Sequence, residues 1–409
     1  MDFASVIIIQ EFEMEKVGLC TQFEKIDNYG TVLQAYATFR FINTRGYTVK
    51  FVRYKKKYTI KFILQQAPRI FEKSNWTGIK RSFRLIKARR KSIKFNEYTK
   101  ARIDAFNEFR EKYFPESMID EYYGYDELKE GGCSYKSLVV GSDQLWLPSG
   151  VKSCFYSLRF ASNIVNKISY STSFGVSQIP RNLISEYKEF LEDIRWLSVR
   201  EKTGVEIIKQ ITNRDAKLVC DPVMLFDDKE WDIIIQEAKM PDDLKNKKYL
   251  LCYFLGNDIH AREEARKVAK DLRLILVPII FMEDYLEYDE TFGDFCPKGL
   301  SPEQFVLLIK NAEYVITDSF HGTAFSIIYK KAFSVVYRFS NQSKYSKNTR
   351  IDNILEKLDL QDRLLSEHKH ADISINYDDS FLNKYNKWRS ESIYFFKSAL
   401  EDPYVTTRN

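Results

Sequence analysis

Residues 16–54 have the sequence KVGLCTQFEKIDNYGTVLQAYATFRFINTRGYTVKFVRY, and the pattern of this stretch indicates the fold class. Apolar runs of strand length lie at its two ends, over 16–21 and 47–54, and apolar residues recur at helical spacing over 30–43. The pattern predicts a strand, a helix and a second strand. Because strands joined through a helix lie parallel, the chain is predicted to open a parallel α/β sheet.

The same alternation continues along most of the chain. Further strands of a first series are predicted over 138–140, 167–171, 196–199 and 217–220. After an acidic and polar stretch at 222–248, a second series of strands is predicted over 249–255, 274–280, 314–317 and 333–337. We therefore expect an α/β protein with two Rossmann-like lobes and a central cleft.

The expected boundaries follow from these two series. An N-terminal α/β domain is predicted over 1–225, interrupted by a basic helical insertion at about 58–114 that has no strand pattern. A C-terminal α/β domain is predicted over 226–375, followed by an amphipathic helical tail over 376–409.

Composition excludes several classes of protein. The 409 residues carry a net charge of +6 and 15% aromatic residues, which is not the composition of a disordered chain. No apolar run approaches the roughly 18 residues of a membrane span, so we expect neither a signal peptide nor a transmembrane anchor. No Cys-x-x-Cys pair occurs, which disfavours zinc ribbons and iron–sulfur ferredoxins.

Positive charge is concentrated at 80–102, where ten Lys or Arg residues accompany a single acidic residue, Glu97. Apolar side chains lie among these charges as they do on an amphipathic helix. The simplest interpretation is a solvated helical face, but such a helix also suits an anionic membrane surface or an anionic glycolipid. Nucleic acid is a further candidate for this charge, and we do not expect it as a partner.

Polar residues follow two of the predicted strands. Asn28 and Gly30 open the first helix, whose free N–H groups could bind an anion, although an ordinary connection capped by Asn28 is the simpler explanation. Ser142, Asp143 and Gln144 follow the strand at 138–140 and could bind a hydroxylated ligand, or form a polar turn. The sequence has neither a Gly-x-Gly-x-x-Gly fingerprint nor a P-loop lysine, which disfavours dinucleotide and nucleoside triphosphate sites of those types.

Arg200 and His321 are the strongest candidates for chemistry. Arg200 ends a predicted strand and could bind a carboxylate or phosphate through two parallel hydrogen bonds, with a surface pair to Glu201 as the alternative. His321, one of four histidines, lies between a buried strand and a helix start, where an imidazole can give and take protons. Asp318 is close enough in sequence to orient it or to cap the helix, and Gly322 would let the backbone approach a ligand.

Together these motifs resemble the polysaccharide pyruvyl transferase family. The resemblance covers about residues 16–365 and rests on six stretches in the family's order: Asn28-Tyr29-Gly30 with Leu33-Gln34-Ala35, Val140-Gly141-Ser142-Asp143-Gln144-Leu145-Trp146, Ser169-Tyr170-Ser171-Thr172-Ser173-Phe174-Gly175, Ser198-Val199-Arg200-Glu201, Asp221-Pro222 and Thr317-Asp318-Ser319-Phe320-His321-Gly322-Thr323. The family implies a two-lobed fold like that of the GT-B glycosyltransferases. It also implies an activity, transfer of the pyruvyl group of phosphoenolpyruvate onto two sugar hydroxyls as a ketal, in bacterial-type surface polysaccharide or glycan biosynthesis.

The resemblance implies roles for individual residues. It makes His321 the catalytic residue, with Asp318 beside it, and Arg200 a donor-binding residue. The remaining donor-binding candidates are Asn28, Gly30, Ser319, Gly322 and the later basic residues Arg338, Lys344 and Arg350, among which spacing does not choose. The candidates for orienting the acceptor are Ser142, Asp143 and Gln144. Neither a metal nor a cofactor is expected, since phosphoenolpyruvate is the donor substrate.

Partners, location and alternatives complete the expectation. The implied partners are phosphoenolpyruvate and a sugar acceptor, which a lipid could carry. We expect a cytoplasmic protein, with a further peripheral contact between 80–102 and the anionic inner face of the membrane. The main alternative is a two-lobed glycosyltransferase, which binding of a nucleotide sugar would reveal. The weaker alternative is a nucleic-acid-binding protein, which a steep salt dependence of duplex binding would reveal.

Overall fold

The computed structural model describes residues 15–24, 26–57, 73–151, 154–338, 348–365 and 374–403, except for the side chains of 73–81. Within these ranges the chain forms two large sheets whose strands are all parallel. This arrangement confirms the predicted α/β class with two Rossmann-like lobes. No helix in the same ranges is long and apolar enough to cross a membrane.

The first lobe is built on a five-stranded sheet. Its strands are β1 (Lys16–Cys20), β2 (Thr48–Lys55), β3 (Ile119–Tyr123), β4 (Ser137–Val140) and β5 (Asn166–Ser169), in the order β3-β2-β1-β4-β5. A short parallel pair, β6 (Ser198–Val199) and β7 (Lys217–Leu218), belongs to the same lobe. The order places β1 beside β4, and ligands of open α/β sheets bind beyond the carboxyl ends of such strands, where the chain winds in opposite directions.

The second lobe is built on a four-stranded sheet. Its strands are β8 (Tyr249–Tyr253), β9 (Ile275–Ile279), β10 (Tyr314–Thr317) and β11 (Ala332–Val335), in the order β11-β10-β8-β9. All residues of β8 and β10 are buried, as expected of strands with helices on both faces. The strands predicted at 249–255, 274–280, 314–317 and 333–337 are thereby confirmed, with small differences at their ends.

Helices connect and cover these strands. Within the described residues they are α1 (Tyr29–Asn43), α2 (Lys73–Lys91), α3 (Ile93–Tyr113), α4 (Gly124–Gly132), α5 (Ile184–Asp193), α6 (Lys202–Thr212), α7 (Asp228–Ile235), α8 (Ile259–Asp271), α9 (Pro302–Asn311), α10 (Phe320–Ile328), α11 (Thr349–Lys357) and α12 (Asp379–Glu401). Helix α9 is capped by Ser301, whose hydroxyl accepts from the Gln304 N–H, and Pro302 occupies its first turn.

The two lobes share one continuous apolar core. Tyr29, at the start of α1, stacks on Phe305 of α9 with ring centroids 4.4 Å apart, and its hydroxyl donates to the Leu300 carbonyl at 3.1 Å. A buried aromatic pair of this kind holds the first helix of one lobe against the second lobe. The edges of the two sheets are thereby fixed close together.

The C-terminal helix α12 packs on the first lobe. Phe396 stacks on Tyr170 and Phe41, with ring centroids 4.2 and 4.8 Å away. The Asn166 amide donates to the Ala399 carbonyl at 2.8 Å. The helix of the predicted tail is therefore part of the core, while the predicted division of the chain at residue 225 stays a prediction.

The basic insertion folds as two helices, α2 and α3, and α3 contacts the second lobe. Arg102 donates to the Ile280 carbonyl at 2.9 Å, and the Tyr98 hydroxyl donates to the Cys296 carbonyl at 2.6 Å. Lys298 forms an ion pair with Glu97 at 2.7 Å. The prediction of helices in this region is confirmed for residues 73–113, and 58–72 lie outside the described residues.

Candidate active site

A cavity of about 620 Å³ lies between the carboxyl ends of the two sheets. It is lined from both lobes, and the predicted residues on its surface are Asn28, Asp143, Gln144, Ser319, His321, Arg338 and Arg350. Most of the surface is polar, which suits a charged or hydroxylated ligand rather than an apolar one. The predicted central cleft is therefore present, and residues widely separated in sequence meet in it.

His321 reaches this cavity from the first turn of α10. Strand β10 ends at Thr317, and the Ser319 hydroxyl then caps the helix by accepting from the Gly322 N–H at 3.3 Å. The His321 side chain packs against the start of α1, where Gly30 makes room for it. A Cβ placed at Gly30 would lie only 1.9 Å from His321 Nδ1. Gly30 thus leaves room for the imidazole, and its contact with the donor stays a prediction.

Asp221, rather than Asp318, is the carboxylate beside His321. Its Oδ1 lies 3.7 Å from His321 Nε2, and its Oδ2 accepts from Arg200 and from the Ser142 hydroxyl, each at 2.7 Å. Burial alone would raise the pKa of Asp221, but His321, Arg200 and the hydrogen bonds outweigh burial and hold that pKa well below its ordinary value. Asp221 is therefore an anion that can stabilise a protonated His321.

Asp318 has a different task. Its carboxylate accepts from the N–H groups of Leu255 and Gly256, at 2.7 and 2.8 Å, and lies 3.4 Å from Arg338 Nε. No hydrogen bond joins it to His321 among the described residues. The prediction that Asp318 orients His321 is wrong, because its two oxygens are already held by the loop after β8 and by Arg338.

Arg200 lies beneath the cavity surface and not on it. Only 3% of the residue is exposed, and its guanidinium donates to Asp221 and the Ser142 hydroxyl and reaches Asp143 at 3.5 Å. Its guanidinium carbon lies 4.9 Å from the Phe320 ring centroid. Burial would lower the pKa of Arg200, but the carboxylates around it raise that pKa above the ordinary value. In this arrangement Arg200 orders two carboxylates, Asp221 and Asp143, and its direct contact with the donor stays a prediction.

Two neighbouring residues of the turn after β4, Asp143 and Ser142, lie in different surroundings. Asp143 lines the cavity, and its Oδ2 accepts from the Thr31 hydroxyl at 3.0 Å. Burial would raise the pKa of Asp143, but the charges of Arg200, His321 and Arg350 lower it below the ordinary value. Ser142 is fully buried and its hydroxyl donates to Asp221, and its contact with the acceptor stays a prediction.

Two of the three later basic residues lie on the cavity surface. Arg338 follows β11, and its guanidinium also donates to the Asp318 carbonyl at 3.1 Å. Arg350 projects from the first turn of α11. Burial and the positive charge of Arg200 lower the pKa of Arg350 to about 10, so it is positive at neutral pH. Lys344 lies outside the described residues.

Gly322 and Asn28 serve the local backbone. A Cβ at Gly322 would lie 2.6 Å from the Thr317 hydroxyl, so this glycine allows α10 to pack on the end of β10 rather than a ligand to approach. The Asn28 side chain accepts from the Thr31 N–H at 3.3 Å, which confirms the helix-cap interpretation. Asn28 also lines the cavity, so it remains available to a ligand.

Several buried polar atoms of the site have no hydrogen-bond partner. Among the described residues these atoms include Gln144 Nε2, His321 Nε2 and Arg350 Nε, all from residues that line the cavity. Buried polar groups in proteins are nearly always paired, and an exception calls for an explanation such as a ligand. The cavity therefore offers proton-transferring, cationic and amide groups that a bound anion or sugar would satisfy.

The polysaccharide pyruvyl transferase family model matches residues 28–341. The chain belongs to this family. Membership makes it a transferase that acts on polysaccharide, and the matched range contains His321, Asp221 and Arg200. No curated protein matches the chain.

Solved structures of other two-lobed enzymes are similar over nearly the whole chain of this family member. UDP-N-acetylglucosamine 2-epimerase from Rickettsia bellii has 8% identity and a TM-score of 0.47, covering 94% of this chain and 96% of its own. E. coli ADP-heptose LPS heptosyltransferase II has 12% identity and a TM-score of 0.34, covering 92% and 99%. At these scores the likeness carries no argument about activity, which rests on the family and on the cavity.

Asp221 and Thr31 are site residues of this pyruvyl transferase family member that were not predicted from its sequence. Asp221 directly follows the strand-like run that ends at Cys220, and the Asp221-Pro222 pair belongs to the family pattern. This position at the end of a strand is the sequence signal by which Asp221 could have been identified. Thr31 gives no such signal, because its contact with Asp143 depends on how β1 and β4 lie side by side.

Proposed function

We propose that this protein transfers the pyruvyl group of phosphoenolpyruvate onto two hydroxyls of one sugar residue, forming a ketal and releasing inorganic phosphate. One observation carries the proposal: His321 lines a polar cavity that also contains arginines, and its buried Nε2 atom has no hydrogen-bond partner among the described residues and lies 3.7 Å from the Asp221 carboxylate. An imidazole backed by a carboxylate can hold a proton and deliver it to a substrate.

Cationic groups would bind the donor. Phosphoenolpyruvate carries a carboxylate and a phosphate, and Arg338 and Arg350 line the same cavity. The lowered pKa of Arg350 reflects burial and repulsion from Arg200, a cost that a bound anion would relieve. The N–H groups at the start of α10 supply further hydrogen-bond donors, because the first N–H groups of a helix have no acceptor within the helix.

The proposed chemistry begins with a proton transfer. Protonated His321 gives its proton to C3 of phosphoenolpyruvate, and the developing positive charge at C2 is shared with the attached oxygen. A first sugar hydroxyl attacks C2 and loses its proton to His321, which is then ready for another cycle. A second hydroxyl attacks C2 as the C2–O bond to phosphate breaks, and its proton leaves with the phosphate. The products are one ketal and one inorganic phosphate.

The acceptor would lie on the first-lobe side of the cavity. The Asp143 carboxylate is an anion there, and it can accept hydrogen bonds from sugar hydroxyls. Gln144 adds an amide whose Nε2 has no partner among the described residues. Holding two hydroxyls close to C2 makes both bond-forming steps effectively intramolecular.

We also propose that α2 rests on an anionic membrane surface in the cytoplasm. Its outer face carries two large apolar side chains, Phe83 and Ile86, which are 68% and 48% exposed. Lys87 and Arg90 are exposed on the same face. A helix that presents apolar and basic residues outward suits the headgroup region of an anionic bilayer. This contact would bring a lipid-linked sugar to the cleft.

The direct test is a transfer assay. The protein is incubated with phosphoenolpyruvate and a panel of nucleotide-linked and lipid-linked sugars, and phosphate release and a pyruvyl gain in product mass are measured. His321→Gln should lower turnover by a factor of about 10² to 10⁴, the usual contribution of a general acid. His260→Gln is the matched control, since His260 is exposed on α8. Transfer from a nucleotide sugar without phosphoenolpyruvate would instead identify a glycosyltransferase.

A further inference from the structure

A second cavity, of about 480 Å³, adjoins the active-site cavity. It lies between the insertion helices α2 and α3 and the loop that follows β9, and the two cavities share Ile26 and Glu283 in their linings. A ligand that occupies the active-site cavity can therefore extend into the second one. The walls come largely from the basic insertion.

Among the described residues, neither of the two arginines in this cavity forms an ion pair. Arg89 has neither an ion pair nor a hydrogen bond among the described residues, and its Nε is buried. Arg102 is 7% exposed, donates to the Ile280 carbonyl and lies 4.8 Å from the Tyr29 ring centroid. The cavity also contains Asp27, which Arg110 neutralises at 2.8 Å, and Glu283 at the border with the first cavity. Arg89 and Arg102 thus place two guanidinium groups in the cavity that are available to an anion.

The remaining lining is largely apolar. Leu85, Ile103 and Met282 contribute to the walls. Leu85 and Arg89 lie one helical turn apart on the inner face of α2, and Phe83, Ile86 and Arg90 are exposed on its outer face. The cavity therefore combines cationic groups with apolar surface, next to a helix whose opposite face is itself apolar and basic.

We propose that this cavity binds the phosphate groups that link the acceptor sugar to an apolar carrier chain. The sugar would lie in the active-site cavity, the diphosphate would lie against Arg89 and Arg102, and the apolar chain would follow the insertion helices outward. Arginine suits phosphate because its planar group can donate two parallel hydrogen bonds. This inference adds the carrier of the acceptor sugar to the proposed function, and it rests on that function for the reaction that the sugar undergoes.

Binding of farnesyl diphosphate, a short soluble diphosphate on an apolar chain, tests the inference in the full-length protein. Isothermal titration calorimetry should show binding to the wild type, and Arg89→Gln should weaken it by about 10- to 100-fold, the usual contribution of a hydrogen bond to a charged group. Arg181→Gln removes the same charge from an exposed arginine that lines neither cavity, and it should change affinity less than twofold. Arg89→Lys should restore part of the affinity, because it restores the charge.

Three further titrations show whether the diphosphate, the apolar chain or the donor site accounts for the binding of farnesyl diphosphate. Farnesol, which lacks phosphate, should bind far more weakly than farnesyl diphosphate. UDP, which has the diphosphate but no apolar chain, should bind far more weakly than farnesyl diphosphate, and equal affinity would overturn the apolar carrier. Saturating phosphoenolpyruvate should leave farnesyl diphosphate bound, whereas full displacement would place the diphosphate in the donor site. Unchanged affinity in Arg89→Gln would overturn the inference outright.

The outcomes separate this inference from the proposed function. Normal pyruvyl transfer with Arg89-independent diphosphate binding would remove only the second site. Arg89-dependent diphosphate binding by a protein that does not bind phosphoenolpyruvate would keep the second site and remove the donor assignment.

Discussion

A single methyl group at Gly30 should inactivate the enzyme without altering any group that does chemistry. In the structure a Cβ at this position would lie 1.9 Å from His321 Nδ1 and 2.4 Å from Cγ. Ordinary contact needs about 3.5 Å, so the imidazole or the start of α1 must move by roughly 1.6 Å. Gly30→Ala should therefore displace His321 from the position in which it faces both the cavity and Asp221.

The size of the effect follows from that displacement. A shift of about 1 Å in a reacting group can cost about 10²-fold in rate, and complete loss of a general acid costs about 10²- to 10⁴-fold. Gly30→Ala should fall in this range. Overpacking of a filled site costs about 1–3 kcal/mol of stability, so the variant should still fold. The fall in activity should greatly exceed the fall in stability.

The assay is steady-state phosphate release with phosphoenolpyruvate and an acceptor, combined with a thermal unfolding curve for each variant. Gly150→Ala is the control, because its added Cβ would lie 3.6 Å from the nearest atom, the Leu147 carbonyl oxygen. The double variant Gly30→Ala, His321→Gln should be no slower than His321→Gln alone, since both changes remove the same group. A folded Gly30→Ala protein that keeps a third or more of wild-type activity would show that Gly30 does not position His321.

Three further predictions concern binding, stability and the membrane. Arg350→Gln should raise the KM for phosphoenolpyruvate by about 10- to 100-fold, since it removes a charged donor from the cavity, and donor titration at fixed acceptor measures this; an unchanged KM would exclude Arg350 from the donor site. The lowered pKa of Asp221 stabilises the fold at pH values above the ordinary carboxyl pKa of about 3.9, and this stabilisation is lost as the pH falls below that value. The unfolding temperature of Asp221→Asn should therefore lie below that of the wild type at pH 7, and the two temperatures should converge in acid. A difference in unfolding temperature that does not narrow in acid would contradict the role given to Asp221. Liposome co-sedimentation should require anionic lipid, fall as salt rises, and weaken in the double variant Lys87→Glu, Arg90→Glu; equal binding to neutral vesicles would rule out the electrostatic part of the contact.

The fold could be predicted to a large extent because its strands have clear local signals. The apolar runs at 16–21, 249–255 and 314–317 are each bounded by polar turns, and each is a buried strand in the structure. Strand β3, with the sequence IDEYY, gives no such signal. It is an edge strand whose residues are only partly buried, so its pairing with β2 depends on a neighbour and not on its own apolar pattern.

The site could be predicted in position but only partly in detail. Parallel strands end at one edge of a sheet, which is why His321, Asp143 and Asn28 meet in one cavity. The sequence position of a side chain does not show which way it points beyond the strand end. Arg200 lies below the cavity and Asp221 lies beside His321 because the two lobes meet there, and that contact has no local signature in the sequence.

Glycine illustrates the same limit. Gly30 and Gly322 both belong to motifs that suggest close approach to a ligand. In the structure each admits a neighbouring side chain instead, the His321 ring at Gly30 and Thr317 at Gly322. The need for a residue without a Cβ was visible in the motifs, while the group that approaches it was set by tertiary packing.

Running the reaction in D₂O shows whether a proton delivered within this cavity starts pyruvyl transfer from phosphoenolpyruvate. We expect phosphate release together with a ketal whose methyl group carries one deuterium at C3, at a rate that His321→Gln lowers sharply and His260→Gln leaves unchanged. A ketal methyl group without deuterium, or a pyruvyl product that forms at the wild-type rate in His321→Gln, would contradict the proposed proton transfer.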